Sequence, residues 1–502
     1  ALAFGDAVVA CRCRRLRLAA QRGRSKVSAP ASEQLSRGAL VALVVGSMVG
    51  AGIFTLPAAL GRTTGALGAT IAWCIAGGGM LMLALVFQNL SRQRPDLDAG
   101  IYAYARAGFG NYLGFAAAFG YWIVCCRADL ACLLLIKGTL GQYFEVFGDG
   151  STPVAIAGAS AILWGVHLPV LRGVRQAAAL NALATVAKVA PLAIFIVVVA
   201  LAFRTNTFAL NFWGDPEAAA GSVASQVGAT MLVTVFVFVG IEGASVYSRY
   251  ARNRADVGVA TVLGFLVVLA LLVSVTLLSY GILLRADLAA LPNPSMGGVL
   301  ETVVGPWGRL FVSIGLLIAV AGNYLSWSLL GIEVLHSAGK SDTMPRFLPR
   351  SNAHGVPHRA QLMTNLAIQA FLIVTWFAES AFTIALKMTS AMTLLPYLLV
   401  AAYGFKLAWT GETYGADDRS RRLAQGVAAL ASAYAATMLW AAGAKYLLLA
   451  ALLYAPGTAL FFYARREQRE RVFARGEVIL FMVFCGAAVA APGALASGAL
   501  TL

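Results

Sequence analysis

Long apolar stretches separated by short polar segments run along nearly the whole chain after residue 37. A membrane-spanning helix needs about 20 mostly apolar residues. Thirteen windows of that kind are bounded by charge, glycine or proline. They fall at about 38–61, 66–90, 111–136, 152–171, 178–203, 224–247, 257–284, 309–338, 361–378, 381–409, 423–442, 446–463 and 477–500. The pattern therefore predicts an all-α polytopic membrane protein with about 13 transmembrane spans.

The composition supports the same interpretation. Of the 502 residues, 60% are hydrophobic and only 12% are charged, with a mean hydropathy of +0.77, whereas soluble proteins carry about 25% charged residues. The segments between the windows are too short to form a separate soluble domain. Residues 1–37 are rich in arginine and poor in acids, and we expect them to form a disordered, basic cytoplasmic tail that attracts anionic lipid.

The basic residues are distributed unevenly between the two sides of the predicted membrane protein. If the N-terminus is cytoplasmic, 29 lysines and arginines lie on the cytoplasmic side and 6 on the opposite side. Positive residues favour cytoplasmic loops, so we expect a cytoplasmic N-terminus and, with an odd number of spans, a periplasmic C-terminus. This topology explains the net charge of +16, and we expect the lipid bilayer as a partner and no nucleic acid.

The chain lacks the sequence patterns of an enzyme, a metal protein or a channel. Its seven cysteines lie mostly in apolar runs and have no spacing typical of a zinc site or a disulfide framework. No HExxH motif occurs, and the ionisable residues inside the predicted spans are scattered singly. Nothing resembles a selectivity filter. We therefore expect no enzymatic activity, no cofactor and no metal.

Two predicted spans contain dense clusters of small residues near mid-membrane. The first span contains GSMVGAGIF at residues 46–54, and the sixth contains FVGIEGAS at residues 238–245. Glycines so placed make a continuous helix costly, and two interrupted helices in corresponding halves indicate a transporter built from inverted repeats. Close helix packing through small residues is the alternative explanation.

An interrupted helix can bind a zwitterion. The half-helix after a break presents unpaired N–H groups, and the half-helix before it presents unpaired carbonyls. We expect the carboxylate of an amino acid to meet the N–H groups of residues 51–53. Its ammonium group would meet the carbonyls of residues 238–240.

Four stretches of the sequence resemble the amino acid–polyamine–organocation superfamily. They are GSMVGAGIF at 46–54, PDLDAGIYAYARAGFG at 95–110, FVGIEGASVYSR at 238–249 and GKSDTMPRFLPR at 339–350. Within it, the chain is most similar to the basic amino acid/polyamine antiporters, and among these to bacterial arginine/ornithine antiporters. The resemblance implies a bacterial inner-membrane protein that exchanges cationic amino acids one for one, arginine for ornithine. Lysine as a further substrate and a homodimer are left open.

The resemblance also implies an architecture. The fold is of the LeuT type, in which residues 38–203 form one five-span repeat, residues 224–409 form the inverted second repeat and residues 423–502 hold additional C-terminal spans. The alternative function is a proton-coupled uptake permease for cationic or neutral amino acids, lysine included. In that case Lys188 or Glu242 would carry the proton.

Site residues follow from matching the motifs of the family to this sequence. The carboxylate site falls on Met48, Ala51 and Gly52. The aromatic that stacks on the substrate falls on Trp327, and Glu242 matches an acid implicated in gating or coupling. The complete predicted substrate site, including a gating aromatic at Phe236, consists of Met48, Ala51, Gly52, Ile53, Tyr121, Cys125, Asp129, Phe236, Val239, Gly240 and Trp327.

Two departures from the family pattern bear on the substrate. Relatives that handle arginine often have tryptophan at the position of Phe236 and asparagine at the position of Asp129. Asp129 shares one side of its helix with Tyr121 and Cys125, whereas Arg127 points about 200° away. A carboxylate inside the membrane needs a partner. That partner is the substrate cation or a cation on another helix, unless the acid itself is protonated.

Other ionisable residues have open roles. Lys188 matches, by resemblance, the place where sodium-coupled relatives bind sodium, against carbonyls of the first break. It is either a titrating group or a fixed internal cation. Lys387 either snorkels to the membrane surface or pairs with Glu242. The four histidines are expected at the surface: His167, His336, His354 and His358.

We predict that Asp129→Asn weakens the binding of arginine and ornithine by about 1 to 3 kcal/mol and changes the binding of citrulline little. The reason is that a carboxylate attracts a cation much more strongly than a neutral amide does. Competition against radiolabelled arginine uptake in proteoliposomes measures the effect. Equal loss of arginine and citrulline binding would instead identify Asp129 as a structural partner of another helix.

Overall fold

The computed structural model describes residues 35–97, 100–148, 150–172, 174–213, 222–246, 248, 251–377, 381–414 and 418–496. Residues 1–34, which make up most of the predicted tail, lie outside this described part. The helices are α1 (Arg37–Met48), α2 (Leu56–Gly61), α3 (Ala66–Gln93), α4 (Ile101–Phe109), α5 (Asn111–Gly141), α6 (Pro153–Leu171), α7 (Val174–Leu201), α8 (Thr205–Leu210), α9 (Val223–Phe238), α10 (Gly243–Val246), α11 (Arg254–Ser279), α12 (Arg285–Ala290), α13 (Ser295–Val304), α14 (Pro306–Lys340), α15 (His358–Val374), α16 (Ala381–Thr410), α17 (Asp418–Ala441), α18 (Gly443–Glu467) and α19 (Arg475–Ala496).

All thirteen apolar windows coincide with helices. Among the described residues, ten helical segments are long and apolar enough to cross a membrane. An eleventh span consists of two helical pieces, α1 and the stretch Ile53–Gly61 that includes α2, which are bent by 41° relative to each other. The other two windows are filled by α7, whose described apolar part is Lys188–Leu201, and by the 17-residue α15. The predicted all-α polytopic fold is therefore confirmed.

The first span is broken where its sequence is richest in glycine. α1 ends at Met48, residues 49–52 form no regular helix, and a 3-10 turn at Ile53–Thr55 leads into α2. Gly50 in the break lies against α14, because a Cβ atom added there would be 2.2 Å from the side chain of Asn323. The predicted break is thus present, and its glycines also allow close packing.

The sixth span is broken between α9 and α10. Gly240 lies in this break with a φ of +111°, a conformation that residues with a side chain rarely adopt. A Cβ atom at this position would lie 2.9 Å from Ser47 of α1. The glycine therefore allows the two breaks to approach each other closely.

Two long helices form the centre of the bundle. α5 has 31 residues and α14 has 35, and the two pack against each other. The apolar window of α5 is entirely buried, as expected for a helix surrounded by other spans. α14 also buries His336, which is 4% exposed. The predicted surface position is wrong for this histidine, because α14 continues to Lys340 and the loop at Leu348 and Pro349 packs against its last turns.

The last helix, α19, lies at the edge of the bundle, and only 6% of its apolar window is buried. Its first turn is attached through Glu477, whose carboxylate accepts hydrogen bonds from the backbone N–H groups of Tyr112 at 2.8 Å and Ala474 at 2.7 Å. The N–H of Tyr112 belongs to the first turn of α5, where helix amides have no partner within the helix. Phe473 adds an edge-on contact to the Tyr112 ring, with centroids 5.1 Å apart. Glu477 thus connects the outermost helix to the central one.

We predict that Glu477→Ala lowers the free energy of unfolding by about 1 to 2 kcal/mol, because the half-buried amide of Tyr112 and the exposed amide of Ala474 lose a charged acceptor. The thermal unfolding midpoint in detergent measures this. Glu145→Ala, at an exposed acid, is the control and should leave the midpoint unchanged. An unchanged midpoint for Glu477→Ala would mean that the aromatic contacts alone hold α19.

Candidate functional site

A small internal cavity lies where the two broken spans meet α5, α14 and α16. Six of the residues predicted from the sequence line it: Met48, Ala51, Gly52, Phe236, Val239 and Trp327. Six further lining residues were not predicted: Ser47, Gly50, Ala128, Val237, Asn323 and Thr389. The two helix breaks therefore contribute to one site, with Trp327 of α14 facing them.

The cavity is closed around very little space. Its volume is about 20 Å³, enough for roughly one water molecule and too small for an amino acid. Phe236 and Val237 of α9 lie over the first break, because a Cβ atom on Gly52 would be 3.0 Å from Phe236 and 2.7 Å from Val237. An amino acid therefore does not fit the site in this arrangement of the helices.

The first break presents unpaired backbone N–H groups to this cavity. The amides of Ala51 and Gly52 donate no hydrogen bond to another described residue, although both residues are buried. Buried amides without a partner are rare and costly. They are therefore able to donate hydrogen bonds to a ligand; that this ligand is a carboxylate stays a prediction.

The carbonyls at the end of α1 are bound by polar side chains of two other helices. The ammonium group of Lys188, fully buried on α7, donates to the carbonyl of Gly46, as the resemblance implied. The amide group of Asn323, oriented so that both its ends have partners, donates to the carbonyls of Gly46 at 3.2 Å and Ser47 at 3.1 Å. An amine group is thus held beside the break, and its protonated form would favour an anionic group there.

The carbonyls of the second break were predicted to be unpaired, and this is wrong for two of them. The carbonyl of Phe238 accepts a hydrogen bond from the amide of Ile241 at 3.3 Å, and that of Gly240 accepts one from Gly243 at 2.9 Å. The hydroxyl oxygen of Ser47 also lies 2.8 Å from the Gly240 carbonyl. The reason is the tight turn between α9 and α10, which lets the chain pair its own backbone groups.

Glu242 follows the second break and is fully buried. Its two carboxylate oxygens accept hydrogen bonds from the hydroxyl groups of Tyr121 on α5 and Tyr397 on α16, the latter at 2.5 Å. The ring of Tyr121 in turn contacts that of Trp327, with centroids 6.4 Å apart. The acid therefore links the break to two other helices and, through Tyr121, to the ring that lines the cavity.

Asp129 is fully buried on α5 and does not line the cavity, although its neighbour Ala128 does. One of its oxygens accepts a hydrogen bond from the hydroxyl of Ser328 at 2.8 Å, and the other has no partner among the described residues. Ser328 directly follows Trp327 on α14. The carboxylate thus lies next to the helix that carries the ring, with one oxygen still able to accept a hydrogen bond.

Arg127 and Asp129 point to different helices, as predicted. The guanidinium group of Arg127 lies 5.4 Å from the ring centroid of Phe371 on α15. The four other predicted members, Ile53, Tyr121, Cys125 and Gly240, are buried but do not line the cavity.

Lys387 does not pair with Glu242, since its ammonium nitrogen lies 5.9 Å from the ring centroid of Tyr446 on α18. Among the described residues, no group of three or more histidine, cysteine, aspartate or glutamate side chains could hold a metal ion.

The second half of the first span is fixed at its end by two arginines. Arg62, which follows α2, donates from Nε to the carbonyl of Ala289 at 2.8 Å. Arg285 donates from Nε to the carbonyl of Gly61, the last residue of α2, at 3.0 Å. These reciprocal contacts attach α2 to α12.

The first half of the same span is fixed at the opposite face. Arg37, the first residue of α1, donates two hydrogen bonds to one carboxylate oxygen of Asp256, at 2.9 and 2.7 Å. The amide of Arg252 donates to the carbonyl of Leu35 at 3.0 Å. α1 is therefore attached to the start of α11.

A larger cavity of about 580 Å³ lies near α4 and the last turns of α14, with Asp96, Arg106 and Lys340 in its lining. It is at least ten residues from Trp327 along α14, which corresponds to about 15 Å or more. Arg94 binds Asp96 at 2.9 and 2.8 Å and holds the pKa of that carboxyl below its usual value. This cavity is distinct from the site at the helix breaks.

A sequence model of the amino acid permease family matches residues 35–489, which include both breaks and the cavity. The chain belongs to the amino acid permease family. This places it in the amino acid–polyamine–organocation superfamily, and the resemblance inferred from its motifs is confirmed.

Three relatives of this permease cover most of its length. The arginine/ornithine antiporter of Pseudomonas aeruginosa is 48% identical over 95% of this chain and 100% of its own. The putative arginine/ornithine antiporter of Escherichia coli K12 is 40% identical over 91% of this chain and 98% of its own. The L-lysine transport protein of Corynebacterium glutamicum is 40% identical over 95% and 98%, respectively.

We predict that Gly52→Val abolishes substrate binding by this permease, because the Cβ atom would lie 2.7 Å from Val237 and the added methyl groups would cover the unpaired amides. Isothermal titration calorimetry with arginine measures this. Gly78→Val on α3 is the matched control, since a Cβ atom there meets nothing within 4 Å. Normal arginine affinity of Gly52→Val would place the carboxylate site elsewhere.

Proposed function

We propose that this permease exchanges cationic amino acids across a bacterial inner membrane, arginine for ornithine, with lysine as a further candidate substrate. The observation that carries the proposal is that unpaired amides of Ala51 and Gly52 line the same cavity as the ring of Trp327. The names of the relatives, which include arginine, ornithine and lysine, support this class of substrate.

Each part of such a substrate has a proposed partner. The carboxylate would accept hydrogen bonds from the amides of Ala51 and Gly52, near the charge of Lys188. The aliphatic stem and the adjoining charge would lie against the face of Trp327, which supplies apolar area and cation–π attraction. Phe236 would cover the site with a weaker cation attraction than tryptophan.

The side-chain cation of the substrate has two candidate acidic partners. Glu242 has both oxygens bonded to tyrosines, whereas Asp129 has one oxygen without a described partner. We infer that Asp129 exchanges the hydroxyl of Ser328 for the substrate cation when the cavity expands. Glu242 would then serve in gating, since movement of Tyr121 or Tyr397 breaks its hydrogen bonds.

Exchange requires the two faces to open in turn. Opening one face must break the contacts of Arg62 and Arg285 with the backbone, and opening the other must move α1 relative to its partners at Arg37 and Asp256. Because the cavity has room for roughly one water molecule, this closed arrangement offers an amino acid no path through the site. A bound substrate would fill the space between the breaks and allow the change of face.

The proposed organisation follows the sequence prediction. Residues 38–203 and 224–409 would be inverted repeats, and residues 423–502 additional spans. The side that carries 29 of the lysines and arginines, here called the arginine-rich face, would be cytoplasmic, with the N-terminus on that side and the C-terminus periplasmic. The relatives are transporters, which supports the absence of enzymatic activity; a homodimer and the absence of nucleic-acid binding stay predictions.

A proton-coupled uptake permease is the second candidate. The position of the Lys188 ammonium group against the first break favours it, as does the similarity to an L-lysine transport protein. Proteoliposomes separate the two functions. An exchanger takes up labelled arginine only when ornithine, arginine or lysine is present inside, whereas a permease fills empty vesicles when a pH gradient is imposed.

We predict that Trp327→Ala reduces ornithine-driven arginine uptake at least about tenfold, a loss of at least 1.4 kcal/mol, because the substrate loses both its apolar contact and the ring. Initial uptake rates in proteoliposomes measure this. Trp307→Ala, on the same helix at a ring that is 53% exposed, is the control and should retain uptake. Near-normal exchange by Trp327→Ala would remove this ring from the site.

A further inference from the structure

Two lysines from different helices lie at one tyrosine ring outside the substrate site. The ammonium nitrogen of Lys387 on α16 lies 5.9 Å from the ring centroid of Tyr446, and that of Lys445 in the first turn of α18 lies 5.6 Å from the same centroid. Lys387 is two residues from Thr389, which lines the cavity. Because two helical residues are about 200° apart, Lys387 points away from the exchange site.

The three side chains are half-buried, and two of them are basic. Tyr446 packs against an apolar cluster that includes Met231 and Met438, so its ring is held in place. In the described part of the chain, neither lysine forms an ion pair with an acid, and the first turn of α18 contains no acidic residue. Two ammonium groups near one partly desolvated ring repel each other, and the ring compensates only part of that cost.

The location of this pair is unusual for a membrane protein. α16 and α18 both run toward the arginine-rich face, where Arg421 donates to the carbonyl of Ala408 at 3.0 Å and Arg465 and Arg466 lie in the last turn of α18. The two lysines lie at the opposite ends of these helices. The preference of basic residues for cytoplasmic loops does not explain a positive pair at that end, so a local partner is needed.

We propose that Lys387, Lys445 and Tyr446 bind the phosphate group of an anionic phospholipid in the membrane leaflet opposite the arginine-rich face. Two ammonium groups match the charge of a lipid phosphate. Apolar side chains for the acyl chains lie close by in the sequence, since Trp440 near the end of α17 is 82% exposed and Leu447 on α18 is also exposed. A free phosphate ion has no acyl chain to contact Trp440 and Leu447, so these apolar side chains favour the lipid over the ion.

The test uses the purified full-length protein and native mass spectrometry with added phosphatidylglycerol, phosphatidylcholine or inorganic phosphate. The wild-type protein should retain phosphatidylglycerol in preference to phosphatidylcholine. Lys387→Ala and Lys445→Ala should each weaken its binding about fivefold, and the double variant roughly thirtyfold. Lys387→Arg should retain it, because the charge is kept.

Lys406→Ala is the matched control. Lys406 also lies near an aromatic ring, 5.8 Å from the centroid of Phe109, but at the other end of α16, where it donates to the carbonyl of Gly108 at 2.8 Å. Its removal should not change the affinity of this site for phosphatidylglycerol. Unchanged lipid affinity in the double variant would overturn the proposal, as would equal binding of inorganic phosphate and phosphatidylglycerol. If Lys387→Ala fails to fold, Lys445→Ala and Lys387→Arg carry the same test.

Discussion

A backbone group that leaves its helix inside a membrane must find a polar partner, and this requirement organises the centre of the permease. At the first break, the carbonyls are bound by Lys188 and Asn323, while the amides of Ala51 and Gly52 have no described partner. At the second break the chain largely pairs its own groups. The protein therefore pairs the carbonyls of the first break itself and leaves two of its amides unpaired, as the proposed carboxylate site requires.

Much of the fold follows from hydropathy, because spans of apolar residues have few alternatives in a bilayer. The breaks could also be predicted, since glycines at mid-membrane weaken a helix at a defined place. Half of the cavity lining was not predicted. Asn323 and Thr389 are polar residues in long apolar helices, and only the packing of α14 and α16 decides which way they point. One signal was present for Asn323, which lies four residues before Trp327 and thus on the same side of α14.

The two buried acids show where sequence reasoning reaches its limit. Asp129 and Glu242 are both lone carboxylates inside predicted spans, and only the family resemblance and the helix side that Asp129 shares with Tyr121 suggested different roles for them. Their partners separate them: two tyrosine hydroxyls bind Glu242 on both oxygens, and one serine hydroxyl binds Asp129 on one. Ser328 and Tyr397 are distant from these acids in sequence, so the difference depends on helix contacts alone. Glu242, with both oxygens hydrogen-bonded, suits the proposed gating role, in which these bonds would break. Asp129, with one oxygen that has no described partner, suits the proposed binding of a substrate cation.

The attachment of the first span has a mechanical consequence. α11 has 26 residues, a length of roughly 40 Å. Near its start it binds Arg37 of α1 through Asp256. At its end the hydroxyl of Tyr280 donates to the carbonyl of Thr64, just after α2, at 2.8 Å. In the proposed exchange, a rigid rod fastened at both ends would act as a lever, so that a tilt loosening one half of the broken span would press the other half inward. Such a coupling would keep one barrier closed while the other opens, and would prevent a leak of ions through the protein.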